Sequence, residues 1–376
     1  MENDPINCNT HKQRQVLKLS STRVRRTYYG GAEIEKWQGM EEPKDGELPE
    51  VWLGSTVQAR NPGMEDIKNE GLSKILIDDQ EQWLLKDVIE KDPAFFLGGE
   101  HYKKYGCSAA VLAKIIDSLS RLTLQVHPDK EYAKKILQSD YGKTEAWYIL
   151  GGRRVNGKDP YILLGFKPGI TRKIWKEMFD TQNIKAMLES IHKIYVKPGE
   201  VYFIEGGIPH AIGSGCFLME IQEPTDYTMR VERITPEGNV IPDQLCHQGV
   251  GFDKMLDCFH YGGLTLEETL SKWKIAPEMI FENSEARDMA LISEKTTDLF
   301  RMRDIRVNGN YEYSLEGAFN VAVVVSGKGI LEHAEGRVEI EKSDILFIPA
   351  ALGKVTWKAG KDSNLNVVLC LPPKGI

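Results

Sequence analysis

The chain contains an internal repeat, and this repeat constrains the fold more than any other feature of the sequence. Residues 196–205 and 340–349 both place a tight polar turn before an apolar strand. Residues 148–152 match residues 323–327 in a similar way but at a larger offset, so the first copy carries 31 additional residues between the two points. The sequence therefore predicts two related β-units.

The additional residues of the first copy are predicted to be helical. Two groups of apolar side chains recur there at the spacing of amphipathic helices. The groups are Ile174, Trp175, Met178 and Phe179, followed by Ile184, Met187, Leu188 and Ile191. The remaining apolar segments are short and separated by turn residues, which is typical of sandwiches and barrels. We predict a mainly β fold of two barrel-like units, with a helical insertion near residues 168–194.

Residues 124–129, of sequence Leu-Gln-Val-His-Pro-Asp, have the pattern of a metal site. Residues two apart on a strand point to the same face, so Gln125 and His127 can face one ion. We expect Glu145, at the head of an apolar strand, to join them from a neighbouring strand, and His210 to supply a second imidazole. Such a set of two imidazoles, one carboxylate and one amide oxygen suits zinc, with iron, manganese and cobalt left open.

Two helices are predicted close to this segment. Asp129 is expected to cap a helix that runs through Lys134 to Leu137. Another helix is predicted before the segment from the spacing of four apolar residues. These residues are Val111, Leu112, Ile115 and Ile116.

The second copy of the repeat lacks the ligand types. The two offsets align Glu145 with Asn320 and His210 with Lys354. We therefore expect one divalent ion per chain, bound in the first unit.

Two cations lie close to the ligands in sequence. Lys143 is two residues before Glu145 and points into the same cavity if the strand extends that far; a solvated lysine at a strand edge is the alternative. For Arg230, the local sequence favours a surface ion pair with Asp226 or with residues near Glu232.

The six cysteines show no CxxC spacing, which favours free thiols over a disulfide framework. Cys246 and His247, with Cys258 and His260, form a competing candidate metal cluster. Their spacing fits no zinc module, so a structural role is predicted.

Composition excludes several classes of function. The chain of 376 residues has a formal net charge of −7 and a pI near 5.8, which argues against a general nucleic-acid surface but allows a local basic pocket for a phosphorylated small molecule. No apolar run approaches the roughly 20 residues of a membrane span, and the first residues lack the pattern of a signal peptide. The sequence predicts a cytoplasmic protein without membrane partners and leaves the oligomeric state open.

Three segments in register resemble the type I mannose-6-phosphate isomerases, zinc-dependent enzymes of the cupin superfamily. The segments are residues 124–129, 142–148 and 209–222. The resemblance implies a bicupin of two cupin-like β-barrel or jelly-roll units. Residues 1–255 would then be the catalytic, metal-binding domain and residues 256–376 a second, non-catalytic domain.

The resemblance also implies an activity, the interconversion of mannose 6-phosphate and fructose 6-phosphate, and it assigns roles by position. Lys143 and Arg230 correspond to active-site cations of the family. The zinc ligands would be Gln125, His127, Glu145 and His210. A metal-bound water, Lys143 or an unidentified carboxylate could each serve as the base.

This chain departs from the family pattern at two places. Met229 stands where the family has tyrosine before the arginine, and Tyr28 begins a turn that usually reads Trp-Gly-Gly. These departures keep two alternatives open, a non-catalytic sugar-phosphate-binding bicupin and an isomerase of a different phosphorylated sugar.

Overall fold

A computed structural model describes residues 14–61, 67–76 and 82–374, and these residues are mainly β-structure. The strands are β1 (Leu17–Leu19), β2 (Thr22–Val24), β3 (Glu50–Leu53), β4 (Lys74–Leu76), β5 (Gln82–Leu84), β6 (Leu112–Asp117), β7 (Gln125–Val126), β8 (Glu145–Gly152), β9 (Tyr161–Phe166), β10 (Ile191–Tyr195), β11 (Val201–Ile204), β12 (His210–Ile212), β13 (Cys216–Gln222), β14 (Met229–Arg230), β15 (Lys274–Ile275), β16 (Glu278–Glu282), β17 (Ala286–Ile292), β18 (Arg301–Val307), β19 (Asn310–Ser314), β20 (Asn320–Ser326), β21 (Lys328–His333), β22 (Gly336–Glu341), β23 (Ile345–Ile348), β24 (Lys354–Ala359) and β25 (Leu365–Leu371). The α-helices are α1 (Ala32–Trp37), α2 (Leu85–Lys91), α3 (Pro93–Leu97), α4 (Gly99–Tyr105), α5 (Lys130–Tyr132), α6 (Arg172–Asp180), α7 (Ile184–Glu189), α8 (Asp243–His247), α9 (Phe252–Leu256) and α10 (Leu266–Trp273).

The strands form two units, each built from two antiparallel sheets, as the predicted bicupin fold requires. In the first unit a seven-stranded sheet, β15-β11-β8-β13-β6-β3-β2, packs against a five-stranded sheet, β10-β9-β12-β7-β14. In the second unit a nine-stranded sheet, β16-β17-β18-β25-β20-β23-β1-β4-β5, packs against the four strands β19-β24-β21-β22. The predicted mainly β class is confirmed.

The register of the strands confirms the internal repeat. In the first unit Tyr148 on β8 lies opposite Val201 on β11. In the second unit Val323 on β20 lies opposite Ile345 on β23, which are the residues that the repeat aligns with that pair. The two units are therefore built on equivalent strand pairs.

The two units exchange strands. The N-terminal strand β1 adds to β23 of the second unit, where Leu17 lies opposite Phe347. Strand β15, which follows the first unit in sequence, joins the sheet of the first unit beside β11, where Ile275 lies opposite Val201. Buried side chains of both units also form one continuous core cluster. The division of the chain at residues 255 and 256 stays a prediction, and strands from both sides of it cross between the units.

This strand exchange predicts that neither half of the chain folds alone. A fragment of residues 1–255 would lack β15, and a fragment of residues 256–376 would lack β1, so each would expose an unpaired, apolar sheet edge. We expect a single cooperative heat-absorption peak for the whole chain in scanning calorimetry and none for either fragment. A cooperative transition of the isolated 256–376 fragment, near the temperature of the whole chain, would contradict this dependence.

The helical insertion is present as α6 and α7, and it supports the sheet that carries part of the candidate site. Trp175, Phe179 and Met187 are buried against Val126 on β7 and Ala211 on β12. The prediction for Asp129 is also confirmed, since its carboxylate accepts a hydrogen bond from the Tyr132 N–H (2.7 Å) at the start of α5, and a π-helical turn continues to Leu137.

The helix predicted from Val111, Leu112, Ile115 and Ile116 is wrong, because these residues belong to or adjoin the central strand β6. All six residues of β6 are buried, since it lies between β3 and β13 with both faces covered. A strand buried on both faces carries a continuous apolar run, which periodicity cannot distinguish from a buried helix.

The other general expectations concern thiols and membranes. Cys107, Cys216, Cys246, Cys258 and Cys370 are free, as predicted, and Cys8 lies outside the described residues. Within the described ranges, none of the helices has the length and apolar character needed to span a bilayer.

Candidate metal centre

The candidate ligands meet between the two sheets of the first unit. Gln125 on β7 lies opposite His210 on β12 in the five-stranded sheet, and His127 directly follows β7. Glu145, the first residue of β8, reaches the same place from the seven-stranded sheet. Ligand atoms of His127, Glu145 and His210 all lie within 4.8 Å of one another. The expectation of a neighbouring strand for Glu145 is wrong, because its strand belongs to the facing sheet.

Both imidazoles present the nitrogen that a metal ion requires. The Nδ1 of His127 lies 2.8 Å from the Tyr227 carbonyl oxygen, and the Nδ1 of His210 lies 2.8 Å from the Ile208 carbonyl oxygen. Because a carbonyl only accepts, each Nδ1 carries the proton and each Nε2 directs a lone pair at Glu145. The Nε2 atoms lie 3.2 Å and 3.4 Å from the two Glu145 carboxylate oxygens.

Burial keeps the two histidines neutral. Burial and then the charge of Lys143 lower the pKa of His127 to about 3, and burial also lowers the pKa of His210. A neutral imidazole is the form that binds metals.

A short turn holds the backbone at His127 in place, since Gly207, with a φ of +85°, donates its N–H to the His127 carbonyl oxygen (2.7 Å).

Glu145 has the properties of an anionic ligand. Burial alone would raise its pKa, but Lys143 and the two imidazoles hold that pKa well below its usual range. Its Oε1 is buried and accepts no hydrogen bond from the described residues. A buried carboxylate oxygen without a donor is costly unless a cation lies beside it. This oxygen therefore fits a metal ion.

Gln125 completes the predicted set. Its amide nitrogen lies 3.4 Å from the His127 Nε2 and 3.2 Å from the His210 Nε2. A half-turn of the amide exchanges its nitrogen and oxygen, which places an oxygen ligand at the same position. The four residues thus provide two nitrogen and two oxygen donors, a set that fits a divalent first-row ion.

Lys143 points into the same site, as predicted, although β8 begins only at Glu145. Its Nζ lies 3.0 Å from the Glu145 Oε2 and 2.6 Å from the His127 Nε2. The lysine is buried, with 4% of its surface exposed. The alternative of a solvated lysine is therefore wrong.

In the second unit Lys354, the residue that the repeat aligns with His210, does not point into the interior. Lys354 is exposed and pairs with Glu312, whereas Val355 is buried opposite Tyr313, as His210 is buried opposite Gln125. The connections before the two strands, residues 205–209 and 349–353, have the same length, so His210 and Lys354 are equivalent as the first residues of β12 and β24.

Packed side chains fill the second unit where the first unit has its ligands. Tyr313, Leu315 and Val355 belong to one core cluster. Asn320, the counterpart of Glu145, accepts a hydrogen bond from the Tyr313 hydroxyl (3.1 Å). Within the described ranges, His127, Glu145 and His210 are the one group of three or more such ligands close enough to share an ion. The prediction that only the first unit carries the ligands agrees with this geometry.

The ligand set opens into a cavity of about 320 Å³, within the size range of small-molecule sites. Gln125 and Lys143 line this cavity, so it reaches the ligands directly. Arg230 also lines it and is half-buried. We call this space the substrate cavity below.

The interpretation of Arg230 as a surface ion pair is wrong. Its guanidinium donates to the carbonyl oxygens of Thr228 (3.3 Å) and Leu245 (3.1 Å), while Asp226 binds Arg26. Burial lowers the pKa of Arg230 below its usual value. Because Arg230 lies opposite Gln125 on neighbouring strands, its charge is close to the ligand set.

The structure adds buried charged residues that the sequence reasoning missed. On adjacent strands, Lys114 and Glu220 form an ion pair of 3.0 Å, and the Trp147 Nε1 donates to Glu220 (3.0 Å). Burial, followed by the charge of Glu145, raises the pKa of Glu220. Lys114 is a single lysine in an otherwise apolar run, a signal that could have marked it as an inward-facing charge.

Arg26 forms a second buried charge cluster on the cavity wall. It lies 2.9 Å from Glu50 and 3.2 Å from each carboxylate oxygen of Asp226. The Tyr28 hydroxyl and the Trp52 Nε1 also donate to Glu50. The members of this cluster lie far apart in sequence, so no local motif indicated it.

The competing cysteine and histidine cluster does not assemble. His260 binds Asp129 through its Nε2 (2.8 Å), and burial raises the pKa of the Cys246 thiol to about 11 and that of Cys258 further. The structural role predicted for these residues agrees with this geometry.

Comparisons with known proteins identify similar chains. Residues 16–146 match the model of the family described as phosphomannose isomerase type I, catalytic domain. The resemblance is thereby confirmed. A probable mannose-6-phosphate isomerase of Bacillus subtilis is 24% identical over 331 residues, which are 87% of this chain and 91% of that protein. A mannose-6-phosphate isomerase of Streptococcus mutans is 22% identical over 92% of this chain and 95% of its own.

Solved structures share the fold across both units. The crystal structure of the mannose 6-phosphate isomerase from Bacillus subtilis superposes with a TM-score of 0.70 at 19% identity, covering 95% of this chain and 99% of that one. A putative mannosephosphate isomerase from Archaeoglobus fulgidus gives a TM-score of 0.69 at 17% identity, over 95% and 98%.

Proposed function

We propose that the protein is a metal-dependent aldose–ketose isomerase that interconverts mannose 6-phosphate and fructose 6-phosphate. The observation that carries the proposal is the opening of the buried His-Glu-His ligand set, through Gln125 and Lys143, into the substrate cavity. Mannose 6-phosphate is proposed as the substrate because of the family match and because the relatives are named as mannose-6-phosphate isomerases.

The reaction moves a proton between C1 and C2 of the sugar, so negative charge develops on the two neighbouring oxygens. A divalent ion bound by the four ligands would polarise these oxygens. Lys143, which lies beside Glu145, donates hydrogen bonds to the oxygen nearer the ligands in this proposal. Arg230 supplies a second fixed positive charge, because its guanidinium is held by two backbone carbonyls rather than by a carboxylate.

We further propose zinc as the ion, since two imidazole nitrogens and a carboxylate form a donor set that zinc commonly takes. Gln125, as the fourth ligand, lies at the cavity side of this set. A sugar oxygen entering the cavity would therefore approach the ion past Gln125 and Lys143.

The activity is tested with purified protein supplied with zinc. We expect conversion of mannose 6-phosphate to fructose 6-phosphate, one zinc per chain by elemental analysis, and loss of both after treatment with a chelator or in His210→Ala. The matched control is His247→Ala, because this histidine does not belong to the ligand set. Turnover that survives both the chelator and His210→Ala would refute the metal-dependent mechanism.

The same assay separates the two alternatives. A protein that binds zinc but converts none of several sugar phosphates would be a sugar-phosphate-binding bicupin. Conversion of another phosphorylated aldose in preference to mannose 6-phosphate would identify a different isomerase.

A further inference from the structure

The charges that line the substrate cavity do not cancel one another. Three of its cations are paired with buried carboxylates. The pairs are Lys143 with Glu145, Lys114 with Glu220, and Arg26 with both Glu50 and Asp226. Two other guanidiniums on the cavity wall, those of Arg60 and Arg230, have no carboxylate within 4.0 Å in the described part of the chain. The cavity therefore holds positive charge that an anionic ligand can neutralise.

Arg60 is held in place without using its hydrogen-bond donors. Its guanidinium carbon lies 4.7 Å from the centre of the Tyr227 ring, a cation–π contact. Its backbone N–H donates to the Asp226 carboxylate (3.0 Å), which fixes the position of the chain. Among residues 14–61, 67–76 and 82–374, none accepts a hydrogen bond from this guanidinium. Arg60 is exposed and lines both the substrate cavity and a neighbouring cavity, and its N–H donors stay available to a ligand.

The two unneutralised guanidiniums are carried by different segments of the chain. Arg230 lies opposite Gln125 on the paired strands β14 and β7, next to the ligand set. Arg60 lies in the segment after β3 and is held by Asp226 and Tyr227 rather than by β7. Arg230 is therefore anchored on a strand beside the ligand set, and Arg60 on a separate segment of the chain.

We propose that Arg60 binds the phosphate group of the sugar phosphate and so determines the preference for phosphorylated substrates. This assignment rests on the proposed function. A guanidinium presents parallel N–H groups that match two phosphate oxygens, and such charge-assisted pairs are stronger than neutral hydrogen bonds. The ring of Tyr227 orients the guanidinium before the ligand arrives, which reduces the entropy lost on binding.

The test compares Arg60→Ala with the unmodified, zinc-loaded protein. We expect the KM for mannose 6-phosphate and the inhibition constant of inorganic phosphate each to rise by roughly 10- to 100-fold, with kcat changed much less, because the phosphate is remote from the reacting carbons. Arg60→Lys retains the charge but not the planar pair of donors, so an intermediate value is expected. Arg154→Ala is the matched control, since Arg154 is exposed and does not line the cavity.

The outcomes separate this proposal from the proposed function. Inorganic phosphate binding, measured by calorimetry, does not depend on turnover. If the unmodified protein binds phosphate through Arg60 but converts no mannose 6-phosphate, the isomerase proposal fails and the anion site stands. If Arg60→Ala leaves both the KM and the phosphate affinity unchanged, the phosphate is bound elsewhere, for example on the ion, and the Arg60 proposal is overturned.

Discussion

Replacing Lys143 with methionine is expected to lower kcat for the isomerisation roughly 10²- to 10³-fold while the protein keeps its metal ion. The removal of one preorganised donor to a developing oxyanion has a cost of about this size in other enzymes. Metal retention follows from the geometry, because the Lys143 ammonium lies 2.6 Å from the His127 Nε2 and 3.0 Å from the Glu145 Oε2. The lysine therefore competes with the ion for these donors, and its loss does not weaken the ligand set.

The measurement pairs steady-state kinetics with elemental analysis of the same preparation. Lys103→Met removes an exposed lysine that pairs with Glu100 and serves as the matched control, with activity expected to be unchanged. If Lys143→Met lost the ion together with its activity, Lys143 would instead be needed to hold the ligands. If its kcat equalled that of the unmodified protein, Lys143 would have no part in the reaction.

The ligand set could be predicted because short-range geometry determines most of it. Gln125 and His127 share a face because strand side chains alternate, and the β8 pattern places Glu145 at a strand start. The sequence did not indicate which sheet would hold β8. That depends on long-range pairing with β11 and β13, which single-residue patterns do not encode.

The errors of the sequence interpretation have local physical causes. The β6 segment is apolar on both faces except at Lys114 and Asp117, so its periodicity was mistaken for that of a helix. Tertiary contacts alone reveal the partners of Arg26 and Lys114, since each binds carboxylates far away in sequence.

The buried cluster of Arg26, Glu50 and Asp226 leads to the largest expected effect on stability. The Arg26 side chain is 9% exposed, and both carboxylates are similarly buried. Burial opposes its charge, but Asp226 and Glu50 raise the pKa of Arg26 above its usual value. Arg26→Met would leave two carboxylates close together without their shared cation. Removing one partner of a buried ion pair costs about 3–5 kcal/mol. We expect a loss of this size in the free energy of unfolding, measured by urea titration.

Two comparisons isolate the electrostatic part of this effect. Arg154→Met removes the arginine of an exposed pair with Asp159 and is expected to change the free energy of unfolding by less than about 1 kcal/mol, because water screens that pair. Adding Glu50→Gln and Asp226→Asn to Arg26→Met removes both uncompensated charges, so part of the lost stability should return. If the triple variant is less stable than Arg26→Met, the principal role of Arg26 is packing against the Trp52 ring, which lies 5.1 Å from its guanidinium carbon. In that case the loss would follow from buried surface rather than from charge.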